Sequence, residues 1–249
     1  LGINHIPPKY CTYSCIYCQV GNTLHLTDQR QHFYDAEKVY EIVRDKLEQL
    51  DRISEEVDFI TLVPDGEPTL DKHLAELIDQ LKSLGPPVAV ISNGSMMHDP
   101  EVRKGLMKAD WVSAKIDSVN PKTWKRINRP HRDLDFKKIL EGIRQFAKEF
   151  KGIFVTETML IRDINDKPEE MRQTAEFIGK LEPRHAYLLI PTRPPAESWV
   201  KPPDEERVTE AYYIFRDHFQ TVTLLIDFPT ESIPVVSHLE DELLAITSV

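Results

Sequence analysis

The 249-residue chain carries 41 acidic residues against 31 lysines and arginines, a formal charge of −10, which argues against a generally basic surface that coats nucleic acid while leaving room for a local basic patch. Its 41% hydrophobic and 29% charged residues are ordinary for a soluble globular protein, and the length suits a single domain over 1–249 with a full core. No stretch approaches the roughly 18 apolar residues of a membrane span, nothing at the start resembles a signal peptide, and neither a G-x-G-x-x-G nor a Walker loop is present.

In chain order, 1–6 is a short apolar strand closed by Pro7 and Pro8, which cannot extend its ladder. Leu1 is not a methionine and the chain begins inside this strand, so residues upstream are expected. A helix is predicted over 35–50, with Asp35 as N-cap and Val39, Ile42, Val43, Leu47 and Leu50 on one face. Strand 57–63 is stopped by Pro64 and Gly66, and helix 70–84 by Gly85, Pro86 and Pro87. The same beat follows as strand 88–92, helix 100–107, strand 111–116, helix 136–150, strand 153–161, helix 168–181 and strand 186–190. Alternation of this kind indicates βαβ units and a parallel sheet. Six such strands are too few for a complete eight-stranded barrel. Helix 204–219 and a peripheral strand 222–226 open a C-terminal extension over 204–249, beyond a core of about 1–203.

All three cysteines fall in Lys9-Tyr-Cys-Thr-Tyr-Ser-Cys-Ile-Tyr-Cys-Gln19. Cys11, Cys15 and Cys18 are spaced C-x₃-C-x₂-C, short enough for one loop to wrap three thiolates round an inorganic core. A [4Fe-4S] cluster held by three cysteines keeps one iron without a protein ligand. A closed zinc site wants a fourth ligand, such as His5 or His25, and also stays open at this point. Disulfide pairing fits worse, because three is odd and the loop is tight. A reducing cytoplasm is the simplest home for such unpaired thiols.

The spacing, with Tyr17 just before the third cysteine, resembles the signature loop of the radical S-adenosylmethionine (radical SAM) superfamily. The resemblance implies a partial (β/α)6 barrel of parallel strands, with the site at the carboxyl ends of the strands. It implies a [4Fe-4S] cluster on Cys11, Cys15 and Cys18 whose open iron is chelated by SAM, and one-electron cleavage of SAM to a 5′-deoxyadenosyl radical that abstracts a substrate hydrogen. The cofactors then carry the hard chemistry and the protein supplies binding and orientation. A reduced flavodoxin or ferredoxin as electron donor belongs to the same expectation.

Strand-end residues gain roles on the same terms. Asp65-Gly66-Glu67-Pro68-Thr69-Leu70 is a turn and helix cap by composition, and resembles the family's G-G-E element, with Asp65 where glycine is common. Gly66, Glu67 and Pro68 are thereby SAM contacts, Glu67 accepting from the SAM ammonium. Asn93, in the turn pair Asn93-Gly94, becomes a candidate contact to the SAM ribose or carboxylate. Lys115 and Asp117 are two apart and share a face, suiting a lysine on the SAM carboxylate and an aspartate on the ribose. Glu157 and Met159 alternate into the same lumen, with Met159 more simply core.

The run 122–132 is the most basic stretch, a solvated face by the ordinary reading. After strand 111–116 it also makes a cationic rim of Lys125, Arg126, Arg129 and Arg132 for a substrate phosphate or carboxylate. Residues 191–203 hold five prolines and form a rigid loop that sets Arg193, Glu197, Trp199 and Lys201 at the site. Arg129, Arg132 and Arg193 are the substrate candidates, and no catalytic acid or base is identified.

Within the superfamily, G-E-P-T-L and the later Arg-Pro elements look closest to the wyosine-synthase-like, tRNA-modifying branch, over about 1–203. Archaeal members of that group carry extra cysteines for a second cluster, and this chain has none. The substrate is therefore open: an RNA base seated by tyrosines, tryptophans and the basic strip, or a partner protein that receives a glycyl radical from an activase. The third reading is a non-catalytic zinc-binding protein.

Overall fold

The structure, a computed structural model, describes residues 1–226, so the expected C-terminal extension is described only in its first half. Seven strands form one sheet in their chain order: β1 (Gly2–Ile3), β2 (Ile60–Leu62), β3 (Val88–Ser92), β4 (Trp111–Lys115), β5 (Ile153–Met159), β6 (His185–Leu189) and β7 (Val222–Leu225). Every pairing is parallel. An order without reversal has no topological switch point and winds in one sense, as barrels do and doubly wound sheets do not. Among the described residues β1 and β7 do not pair, so the barrel is incomplete. The expected peripheral strand is therefore a seventh member of the main sheet, paired with β6 from Ala186–Val222 to Leu189–Leu225.

The helices between strands begin where the sequence supplies acceptors for free N–H groups. Asp35 accepts from Glu37 N at the start of α1 (Ala36–Arg52). After α2 (Leu74–Lys82), Asp99 does the same for α3 (Pro100–Leu106), Asn120 for α4 (Pro121–Asn128) and Asp135 for α5 (Phe136–Glu149). α6 (Pro168–Gly179) starts, like α3 and α4, on a proline, whose missing N–H costs nothing in the first turn. α7 (Glu205–Arg216) is capped by Asp204.

The core lies between sheet and helices. β3 is buried at every position but Ile91, with Val88 and Val90 fully enclosed, as parallel strands covered by helices require. A second, smaller cluster of Ile16, Tyr17, Ile127, Met159, Ile161, Ile164 and Val200 joins the cysteine loop to α4 and the proline-rich loop. It anchors the loop from beneath.

Candidate active site

The cysteine loop follows β1, Glu67 lies in the turn after β2, and Asn93, Asp117 and Leu160 come within two residues of the ends of β3, β4 and β5, so all lie beyond the carboxyl ends of the strands. Gly66 lets the loop come this close. A Cβ there would sit 2.2 Å from the Tyr10 carbonyl oxygen, and that oxygen accepts the Glu67 N–H at 3.0 Å. On the other side, Ser14 N donates to Asn128 O (2.9 Å), Ile16 N to Ile127 O (2.9 Å) and His131 N to Thr12 O (2.8 Å). The proline-rich loop closes the ring, with Glu197 N donating to Ile16 O at 3.0 Å.

Cys11, Cys15 and Cys18 are free thiols, partly buried. Desolvation, then the nearby Asp117 carboxylate, pushes the Cys15 thiol up to about 12. Desolvation and Glu67 push Cys11 further. A bound cation reverses this logic by stabilising thiolates. Among the described residues only Asp28, His131 and Asp133 bring three such ligand atoms within 4.8 Å of one another, so the cysteine sulfurs are spread more widely. One zinc ion with ~2.3 Å Zn–S bonds draws its sulfurs to about 3.8 Å. The donor set therefore fits a cluster, in which each thiolate takes its own iron, better than a single ion. Among the described residues neither proposed histidine joins two cysteines in a group of ligand atoms within 4.8 Å: His5 is wholly buried with Nε2 3.4 Å from Pro68 O, and His25 stacks on Tyr10.

The Glu67 carboxylate, expected at the SAM ammonium, is engaged by donors of the protein itself. Glu67 is buried and accepts from Thr69 N (3.1 Å), Thr69 Oγ1 (2.5 Å), Ser92 Oγ (2.7 Å) and Asn93 N (2.8 Å). Three of these donors meet at Oε1 and only Asn93 N reaches Oε2, so the side chain clamps the ends of β2 and β3 together while Oε2 keeps an acceptor site. Burial raises its pKa despite these donors. Pro68 begins the buried 3₁₀ turn that carries Thr69.

Lys115 and Asp117 do share the inner side, but with separate partners. Lys115 pairs with Glu157 at 3.5 Å and lies 5.2 Å from the Tyr17 ring centre. Burial alone would lower its pKa, yet Glu157, Asp117 and Cys15 carry it above the ordinary lysine value. Glu157 also accepts from Ser113 Oγ at 2.7 Å. Asp117 accepts at Oδ2 from Tyr17 OH (2.5 Å) and Asn128 Nδ2 (2.8 Å) and at Oδ1 from Met159 N (2.9 Å), so its carboxylate ties the cysteine loop, α4 and β5 together. Tyr187 stands beside Glu157 in register on β6.

The three arginines are not gathered at one point. Arg129, in left-handed conformation at the end of α4, pairs with Glu197 at 2.5 Å. Arg193 donates to Gln19 at 3.1 Å, next to Cys18. Arg132 is 89% exposed and its ion pair is with Asp133. Trp124 is buried, donating to Tyr13 OH at 3.1 Å, and offers no stacking surface, whereas Trp199 is 48% exposed. Sequence reading missed Asn128 and Thr12, both buried beside the cysteines. Asn128 carried a legible signal, because Trp124, Ile127 and Asn128 recur at i, i+3 and i+4 within the basic run and mark a buried helix stripe.

An incomplete parallel barrel with three thiols at the carboxyl ends of its strands defines an enzyme scaffold built to hold an iron-sulfur group. The chain belongs to the radical SAM superfamily, whose family model matches residues 6–178. Enzymes of this superfamily use a [4Fe-4S] cluster and SAM and need a reduced electron donor such as flavodoxin or ferredoxin. The UPF0026 protein MJ1312 of Methanocaldococcus jannaschii is 41% identical, spanning 100% of this chain and 78% of that one. In fold the chain is like TYW1 solved with a lysine-pyruvate adduct, at TM-score 0.60 and 20% identity over 84% of this chain and 70% of that one. It is also like a domain of pyruvate-formate lyase-activating enzyme from Bacteroides vulgatus, at TM-score 0.53 and 22% identity over 66% and 96%. Among the described residues no helix is long and apolar enough to cross a membrane.

Proposed function

We propose that this radical SAM enzyme is wyosine-synthase-like, abstracting hydrogen from a substrate that carries a phosphate or carboxylate, with an RNA base as the leading candidate. When bound, the cluster and SAM supply reductive cleavage to a 5′-deoxyadenosyl radical. Cys11, Cys15 and Cys18 hold the cluster. The observation that carries the reading is the setting of these thiols at the strand ends beside two arginines, Arg129 and Arg193, each anchored next to the cysteine loop.

SAM binds at the Gly66–Glu67 edge, where Glu67 Oε2 keeps an acceptor site beside the Asn93 N–H, and at the inner pair Lys115 and Glu157. Tyr17 and Asp117 then brace this side of the loop. The Arg129–Glu197 pair and exposed Trp199 face the incoming substrate, while Arg132 contributes long-range charge only. A cytoplasmic location and flavodoxin or ferredoxin as donor complete the proposal. Filter binding of tRNA across a salt series tests the substrate class: affinity that falls with salt and with Arg129→Ala and Arg193→Ala supports it, and no salt-dependent binding overturns it.

One observation favours an activase reading instead. Leu24 is 71% and Leu26 38% exposed in the segment between Cys18 and α1, an apolar patch beside the loop on which a partner protein would rest. A glycyl radical signal on a partner incubated with the loaded enzyme would establish that reading.

A further inference from the structure

Two asparagine side chains point at cysteine sulfurs. Asn93 Nδ2 lies 3.6 Å from Cys11 Sγ and 2.7 Å from Thr12 Oγ1. Asn128 Nδ2 lies 3.4 Å from Cys15 Sγ and 2.8 Å from Asp117 Oδ2. A carboxamide nitrogen has two hydrogens, so in each case one goes to sulfur and one to an oxygen. The orientation of each amide is forced. Asn93 Oδ1 accepts from Ser95 N at 2.9 Å, and an oxygen of Asn128 turned toward Asp117 would set two acceptors against each other.

Both residues are also held by their backbones. Asn93 N donates to Glu67 at 2.8 Å, and Asn128 O accepts from Ser14 N at 2.9 Å. The N–H groups therefore need no reorganisation to meet a thiolate. Cys11 additionally receives Tyr13 N at 3.5 Å. Among the described residues no side-chain donor reaches Cys18, so the three ligands are unequal.

We propose that Asn93 and Asn128 are positioning residues that set the reduction potential of the bound cluster through N–H···S hydrogen bonds. This rests on the iron-sulfur reading above. Reduction adds negative charge to the cluster and its sulfurs, and a donor fixed on a thiolate stabilises the reduced form and raises the potential. Asn128 has the larger effect, because it is buried and belongs to the chain Tyr17–Asp117–Asn128–Cys15, whose dipoles are fixed by the fold. Asn93 acts on the sulfur nearer Glu67, and its amide is committed to that task rather than to SAM.

The test is redox titration of the reconstituted cluster, followed by electron paramagnetic resonance without SAM, in wild type, Asn93→Leu, Asn128→Leu and Asn128→Ser. Loss of the Asn128 amide is expected to shift the oxidised-to-reduced ratio about tenfold at fixed potential, ~59 mV more negative for one electron, with Asn93→Leu shifting it the same way by less and Asn128→Ser, which keeps a donor, lying between wild type and Asn128→Leu. An unchanged midpoint in both leucine variants at full iron content overturns the proposal. Should Asn128→Leu fail to fold, Asn93→Leu decides by the same two outcomes. A wild-type chain that takes up no iron-sulfur cluster overturns the reading on which the proposal stands.

Discussion

Tyr17, one residue before the third cysteine, donates its phenol to Asp117 at 2.5 Å across 100 positions of sequence. The bond links the cysteine loop to the end of β4. Because Asp117 also takes Asn128 and the backbone of Met159, one carboxylate joins the loop, α4 and β5. Tyr17→Phe leaves the ring packed and removes one of three donors from a buried acceptor. We expect a loss of about 1–3 kcal/mol in urea unfolding, together with lower iron uptake. Unchanged stability and iron content would show that the bond contributes nothing.

Gly66→Ala tests the closeness of loop and strand. The new methyl would lie 2.2 Å from a backbone oxygen, so the backbone must move and the Glu67 clamp moves with it. A destabilisation of roughly 2 kcal/mol or more is expected, in the range of backbone strain at special sites. Equally, thiol-reactive labelling of Cys11 should speed up, since Tyr10, the residue before it, no longer seats on Gly66.

Asp71 predicts a pH dependence. Its carboxyl is buried and raised from 3.8 to about 6 by desolvation, against the opposing effects of the His73 N–H, the His73 ring and Arg30, with Glu76 also raising it. The folded form thus binds a proton more tightly than the unfolded one. Stability from this group is present below about pH 4 and is lost as pH rises toward 6, on the order of 2–3 kcal/mol. Asp71→Asn keeps an oxygen for His73 N and should flatten that slope. Parallel urea curves for variant and wild type from pH 4 to 7 would contradict it.

Lys115 bears on the kind of chemistry. A lysine that forms a Schiff base with a carbonyl compound must be a neutral amine. Lys115 is paired with Glu157 and held above its ordinary pKa, so it is an ammonium at neutral pH. Borohydride reduction in the presence of pyruvate is expected to add no mass at Lys115 in the wild type. Glu157→Gln lowers the pKa and should make trapping detectable.

How far the sequence led differs between elements. Strand 88–92 was legible to the residue because its apolar run is bounded by prolines and Asn-Gly, and α1 because Asp35 caps a periodic face. Helix α4 was hidden beneath its lysines and arginines. The cysteines were readable as a site because their spacing is local. The roles of Glu67, Asp117 and Asn128 were not, since each depends on partners brought in by the fold: Ser92 lies 25 positions from Glu67, and Cys15 lies 113 from Asn128. Alternation placed Lys115 and Asp117 on one side, but it could not say that Glu157 and Tyr17 would take them up.

The most direct test of the account is anaerobic reconstitution with iron and sulfide, followed by dithionite, SAM and chromatographic assay for 5′-deoxyadenosine. The account predicts that product, and its loss in Cys15→Ala. Tightly bound zinc in place of iron, with no 5′-deoxyadenosine formed, would contradict it and leave the cysteine loop as a structural clip.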